Sequence, residues 1–237
     1  TKDDKVILFL FNCIEFPVIF LALSTVGAVP VLVNPAITKG ELLHIVQTAD
    51  AKFVISDAGA ALDTVREVTQ MNANIQEIFV LGEAEGFQTY NALIGAETQL
   101  DALWDHAVEI DPENDLAVVA FTSGTTGKPK GVMHTHYSTV SLMQMMRNTE
   151  INFLVEQSDV FMVFLQPYGH GGLAYALYGL CMGVTQTVIP YGAKPNLSLS
   201  IMSRFKVTVV LASPVSAHEI CNYVTDNKVQ VPTSIRL

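Results

Sequence analysis

The sequence predicts an α/β protein built on a mostly parallel sheet with helices laid over it. Three observations carry that reading. Short apolar runs alternate strictly with longer segments of helical spacing through residues 5–82. A glycine-rich, hydroxyl-rich loop, 121-FTSGTTGKPKGVMHTH-136, follows the apolar run 116-LAVVAF-121. The alternation then resumes from residue 160 onward.

Each element has a local cause. The run 5-KVILFLF-11 reads as a buried strand. Helical spacing over 14-IEFPVIFLALSTVG-27 gives a helix stopped by Gly27. A short strand follows at 29-VPVLVN-34. Thr38, with Glu41 three residues on, has the form of a capping box, so a helix starts there and runs to Asp50. Then come a strand at 52-KFVISD-57, a helix at 59-GAALDTVREVTQM-71 and a strand at 77-EIFVLG-82. Periodicity weakens over residues 83–115, where a helix is expected near 88–95 within a linking loop. A helix from about Tyr137 to Asn148 is expected to follow the loop. Beyond it, strands are expected at Val160–Leu165, Gln186–Pro190 and Thr208–Leu211. Helices should lie between and after them near 171–182, 196–205 and 214–228.

Composition narrows the function classes. Hydrophobic residues make up 50% and charged residues 15%, the latter low against a usual quarter or so. A formal charge of −10 argues against broad nucleic-acid or anionic-membrane binding, which needs clustered Lys and Arg. Cys13, Cys181 and Cys221 are far apart and form no CxxC pair, so they read as free thiols of a reducing compartment. Two uncharged runs, Phe16–Thr38 and Val160–Ala193, are long enough to span a bilayer. Pro17, Gly27, Pro30 and Pro35 break the first, and 166-QPYGHGG-172 breaks the second, so neither is a transmembrane segment. No G-x-S-x-G elbow suggests a serine hydrolase, and Ser158 and Asp159 read as loop or turn residues before the strand at Val160. The Met-rich 142-LMQMMR-147 reads as a packing face.

A strand, a glycine-rich loop and a helix in succession present backbone N–H groups to phosphate. Thr122, Ser123, Thr125 and Thr126 add hydroxyl donors, Lys128 and Lys130 add charge, and Gly124 and Gly127 permit positive φ. The Walker pattern fails, because two residues rather than four separate Gly124 from Gly127. The dinucleotide fingerprint fails too. A solvated turn is the bland alternative, and this density of charge and hydroxyls after a buried strand counts against it.

TSGTTGKPKG resembles the signature loop of the adenylate-forming superfamily. That family holds acyl-CoA synthetases, 4-coumarate:CoA ligases, beetle luciferases and the adenylation domains of peptide synthetases. Its pattern is met in full over the twelve positions from Val119 to Lys130. The resemblance extends to 17-PVIFLALSTVGAVPVLVNPAITKGELLHIVQTADAKFVISD-57, to 165-LQPYGHGGL-173 and to 206-KVTVVLASPVSAHEI-220, nearly end to end. It implies that Thr122 to Lys128 hold the β- and γ-phosphates of ATP while a carboxylate attacks the α-phosphorus, and that Lys130 offsets charge on the departing pyrophosphate. It implies that His170 stands between the carboxylate site and the tunnel for the thiol acceptor. Tyr168, Gly171, Gly172 and Pro214 would help to line the acyl pocket. Gly169, Gly171 and Gly172 stand where relatives often carry bulkier residues, which predicts a roomier pocket for a long or aromatic acid. His134 and His136, read as the start of the following helix, suit capping or packing rather than a metal. His44, His106 and His218 show no constellation.

The resemblance sharpens the fold to two packed, mostly parallel sheets with flanking helices, an incomplete N-terminal domain of the adenylate-forming fold. One subdomain would cover about 1–155 and the start of a second about 156–237. The family's adenine, ribose and Mg²⁺-binding segments and its C-terminal domain with a catalytic Lys are not in the sequence, so both ends read as cut from something longer. The implied parent is an intracellular ligase, cytoplasmic or peroxisomal, using ATP, Mg²⁺, a carboxylic acid and coenzyme A. The chain alone is expected not to adenylate. The alternatives are a non-catalytic nucleotide- or acyl-binding module, a luciferase-like enzyme and a peptide-synthetase adenylation enzyme.

Overall fold

The computed structural model describes residues 1–71, 74–95, 108–122, 127–148 and 155–236. Strands β1 (Lys5–Phe9), β2 (Val29–Leu32), β3 (Phe53–Asp57), β4 (Glu77–Leu81), β5 (Gln88–Thr89), β6 (Leu116–Thr122) and β7 (Lys130–Thr135) form one sheet in the order β5-β4-β3-β1-β2-β6-β7. Every neighbouring pair is parallel except β6 and β7, which form an antiparallel hairpin. A second sheet, all parallel, holds β8 (Val160–Val163) between β10 (Val209–Leu211) and β9 (Thr185–Thr187). The helices among the described residues are α1 (Glu15–Thr25), α2 (Lys39–Ala49), α3 (Ala60–Met71), α4 (Tyr90–Ile94), α5 (His136–Arg147), α6 (His170–Met182), α7 (Pro195–Phe205) and α8 (Pro214–Asn227). The α/β class with a larger and a smaller parallel sheet is therefore as the sequence predicts.

The central strands show why. β2 is buried at all four positions and β1 at four of five, the continuous apolar run of a parallel strand covered on both faces. Ile7, Phe9, Val31, Ile45, Val54, Val65 and Val119 meet in one core between this sheet and its helices. α2 opens with both halves of the capping box. Thr38 accepts from the Glu41 N–H at 3.3 Å, and the Glu41 carboxylate accepts from the Thr38 N–H at 2.8 Å. The smaller sheet has its own core of Met162, Ile189, Leu199, Met202 and Val207.

The chain divides into two compact units, Thr1–Phe11 with Val18–Val140, and Asn12–Pro17 with Ser141–Leu237. Among the described residues no helix is long and apolar enough to cross a membrane.

The helix expected from Tyr137 to Asn148 is found as α5, His136–Arg147. An element that was not expected precedes it: between the loop and that helix lies β7, an exposed edge strand with Val132 and Met133 on its surface. His134 accordingly lies on β7, opposite Val118, rather than in a helix. Its alternation was masked by the glycines and by the exposed apolar pair. Asp159 is a loop residue directly before β8, as expected. It is buried, and its carboxylate accepts from the Glu156 N–H at 2.7 Å, the Thr208 hydroxyl at 2.7 Å and Arg236 Nε at 3.0 Å.

Candidate functional site

β2 and β6 are neighbours, with Leu32 beside Ala120. The chain leaving β2 returns across β1 to β3, whereas the chain leaving β6 turns outward to β7. Adjacent parallel strands whose connections diverge open a crevice at their carboxyl ends, the usual ligand position in such sheets. The glycine-rich loop stands there because β6 ends in it.

The hairpin stem sets the ends of the loop. Thr122 closes β6 opposite Lys130, and its hydroxyl donates to the Lys130 carbonyl at 3.5 Å. Phe121 pairs with Gly131 one step further in. Thr122, Gly127, Lys128 and Lys130 are all exposed. Gly127 has φ +149°, in the region that favours glycine, with nothing among the described residues within 4 Å of the position a Cβ would take. Ser123, Gly124, Thr125 and Thr126 lie outside the described residues. Two cationic side chains separated by one proline can face an anion without sharing one peptide plane.

His44 is a residue that the sequence reading missed. It sits half-buried on α2, and its Nε2 lies 3.2 Å from the Pro129 carbonyl between the two lysines. Its Nδ1 lies 3.4 Å from the Thr48 hydroxyl, one helical turn on. Nothing in the spacing of 38-TKGELLHIVQTAD-50 could have pointed to a loop 85 residues away.

The other expected residues lie in the second unit. The chain leaves β8 through 164–169 and enters α6 at His170, with Gly169 as the N-cap. Tyr168 is half-buried, and burial pushes its phenol above the ordinary value, with Tyr191 adding in the same direction. His170 and Gly171 are exposed, and Gly172 is buried. The Gln166 carbonyl accepts from the Gly169 N–H at 3.0 Å, which closes the turn. The same carbonyl lies 2.0 Å from where a Gly172 Cβ would stand. The roomier pocket expected from the glycines is therefore not opened at Gly172, because backbone already fills the space. Gly171 meets only a Leu165 methyl, at 3.8 Å.

Gln166 ties this turn down from its other side. Its Oε1 accepts from the Asn12 N–H at 3.2 Å, and the Asn12 amide donates to the Ile189 carbonyl at 3.1 Å. Pro214 is the first residue of α8, behind Ser213, whose hydroxyl accepts from the Ser216 N–H at 3.2 Å. A hollow of about 180 Å³ is lined by Gln166, Tyr191, Ser198, Ser216 and Glu219 among others. The structure thus brings Tyr168, His170, Gly171 and Gly172 together on one turn. It brings Thr122 and Lys130 together on one hairpin.

His136 is the first residue of α5, and burial pushes its imidazole below the ordinary value despite the nearby Asp115 carboxylate. Among the described residues no three His, Cys, Asp or Glu side chains gather as a metal cage.

Comparison with known proteins agrees with this geometry. The chain is 31% identical over 219 residues to 4-coumarate–CoA ligase 1 of Arabidopsis thaliana, covering 90% of the chain and 38% of the relative. It is 33% identical over 211 residues to 4-coumarate–CoA ligase 2 of Solanum tuberosum, covering 89% and 35%. The chain thus spans a little over a third of the length of these relatives. In fold it is similar to the luciferase-like enzyme of the nonluminescent mealworm Zophobas morio. That match has TM-score 0.83 at 21% identity, over 100% of this chain and 53% of that one. The family model for AMP-binding enzymes matches residues 1–237, and the chain belongs to that family.

Proposed function

We propose that the protein containing this chain activates a carboxylic acid with ATP and passes the acyl group to coenzyme A. In the first step a carboxylate oxygen bonds to the α-phosphorus, the bond to pyrophosphate breaks, and an acyl-adenylate forms. In the second the thiol of coenzyme A bonds to the acyl carbon and AMP leaves. The observation that carries this reading is the complete signature run from Val119 to Lys130, on the hairpin at the carboxyl end of β6. The similarity to 4-coumarate–CoA ligases supports the choice of acid and acceptor.

In this reading the hydroxyls of Thr122, Ser123, Thr125 and Thr126 and the backbone at Gly124 and Gly127 hold the β- and γ-phosphates. Lys128 adds charge, and Lys130 offsets the charge that builds on pyrophosphate as it departs. Mg²⁺ arrives with the nucleotide's phosphates, in keeping with its habit of retaining waters and binding through few carboxylates. His170 meets the substrate carboxylate and gates the way to the thiol. Tyr168, Gly171, Gly172 and Pro214 shape the acyl wall. Residues 1–155 form the phosphate-binding subdomain and those from 156 begin the acyl-binding one. A ligase that depends on coenzyme A works inside the cell, in cytoplasm or peroxisome.

Pyrophosphate exchange into ATP tests the reading. The intact protein should show exchange that depends on added acid, and coenzyme A should then release AMP. A panel of acetate, long-chain and cinnamate-type acids in which none supports exchange would overturn the proposal. The 237-residue chain alone should show no exchange, because it carries the phosphate loop without the family's adenine and ribose segments.

A further inference from the structure

We infer that His44 is a positioning residue for the phosphate loop, fixing the arm that carries Lys128 and Lys130. The inference rests on the function proposed above. The loop returns to the sheet through Lys128, Pro129 and Lys130, and beside the β6–β7 ladder this return has two side-chain fastenings among the described residues. The Lys130 carbonyl receives the Thr122 hydroxyl at 3.5 Å, within the hairpin itself. The Pro129 carbonyl receives His44 Nε2 at 3.2 Å, from a different element.

The geometry of the second fastening suits a clamp. Proline fixes its own φ and restricts Lys128 before it to extended backbone. A donor on the Pro129 carbonyl then fixes the plane of the peptide that ends in the Lys130 N–H. The starting points of both lysine side chains follow. Since the carbonyl can only accept, His44 Nε2 carries the proton. In the neutral ring Nδ1 is then the acceptor, matched to the Thr48 hydroxyl at 3.4 Å. The Thr48 hydroxyl, free to donate to Nδ1, is compatible with the tautomer that the clamp needs.

The platform beneath the clamp is rigid. α2 is fastened at its start by the Thr38–Glu41 capping box, and Leu42, Ile45 and Val46 are buried on either side of His44. A histidine on a well-docked helix, donating to a loop, transmits the position of the core to that loop. Preorganised charge of this kind is effective because it need not reorganise when the phosphates arrive.

The experiment compares His44→Leu, which keeps bulk but no donor, with His44→Gln, which keeps a donor of similar reach, in the intact protein. His44→Leu should raise KM for MgATP about three- to tenfold, the worth of one hydrogen bond. KM for the acid and the melting temperature should stay unchanged, and kcat should fall alongside, because Lys130 acts on the departing pyrophosphate. His44→Gln should restore KM for MgATP, and Thr48→Val should raise it less than His44→Leu does. If His44→Leu leaves KM for MgATP unchanged while the wild type exchanges pyrophosphate, the inference falls and the proposed function stands. The inference also falls if His44→Leu lowers the melting temperature and impairs both substrates alike, the mark of a merely structural histidine. If the wild type exchanges with no acid, both fall together.

Discussion

The hairpin loop at Gly127 and the turn at Gly172 both look glycine-rich in the sequence, yet glycine does opposite things in them. At Gly127 the backbone is unusual, with φ +149°, and no described residue comes within 4 Å of a Cβ. At Gly172 the backbone is that of an ordinary helix and the space is full, with the Gln166 carbonyl 2.0 Å from a Cβ. One glycine answers to conformation and the other to close approach. A surface loop that must receive a ligand keeps its surroundings clear, whereas a turn that must hold a helix start steady fills them. Changes in the turn should therefore cost stability, and changes in the hairpin should cost function.

The largest effect is expected at the turn. Gly172→Ala forces a methyl into backbone that is itself tied by the Gly169 N–H and, through the Gln166 side chain, by Asn12. Relief requires the turn or the start of α6 to shift. A loss of roughly 4 kcal/mol follows, at the upper end for overpacking. Urea unfolding followed by circular dichroism measures it. An unchanged midpoint would mean that the turn yields freely and would break the contrast with Gly127.

On the hairpin, Lys130→Ala should leave the unfolding midpoint where it is, since this exposed side chain lies on an edge strand. In the intact protein it should slow acid-dependent pyrophosphate exchange about a hundredfold, typical of losing one charge aimed at a developing anion. Slower exchange accompanied by a lower midpoint would show that hairpin and turn are alike after all.

The sequence made the sheet legible because parallel strands buried on both faces announce themselves as unbroken apolar runs. Lys5–Phe9 and Val29–Leu32 are the plainest cases. The cap of α2 was legible because Thr38 and Glu41 stand three apart. β7 was not, because an exposed edge strand is defined by its partner β6 rather than by its own pattern. The candidate loop was legible as a motif, since its spacing excludes two phosphate-loop templates and meets a third. His44 was not, because its partner is a backbone carbonyl, and carbonyls have no signature in a sequence. The meaning of Gly172 was hidden for the same reason: a glycine that makes room for a ligand and one that makes room for backbone are spelled alike.

A buried carboxylate sharpens the picture of the second unit as the one held by contacts. Burial pushes Asp159 up, but hydrogen bonds from the Glu156 N–H, the Thr208 hydroxyl and Arg236 outweigh it and hold the carboxyl below its ordinary value. A depressed carboxyl stabilises the fold fully above the unfolded value of about 4, and that stability is lost as pH falls through the lower folded value. Asp159→Asn should therefore cost about 1–2 kcal/mol near neutrality. The gap from wild type should close progressively below about pH 4 as the native carboxyl takes up its proton. Unfolding midpoints of both proteins across acid pH give the test, and a gap that stays constant would remove Asp159 from the titrating groups that matter.

The smallest effect belongs to the other glycine. Gly127→Ala meets no atom of the described residues, so it lacks the collision that dominates at position 172. What remains is the strain of holding an L side chain at φ +149°, worth about 1 kcal/mol or a little more. A loop with open surroundings can release that strain by moving, which a packed turn cannot do. Stability of the whole should then change little, while the loop relaxes away from the conformation that suits phosphates. The expected result is a near-unchanged unfolding midpoint together with a raised KM for MgATP in the intact protein. If the midpoint falls as far as in Gly172→Ala, the openness around Gly127 is not what sets the two glycines apart, and conformation alone would have to account for both.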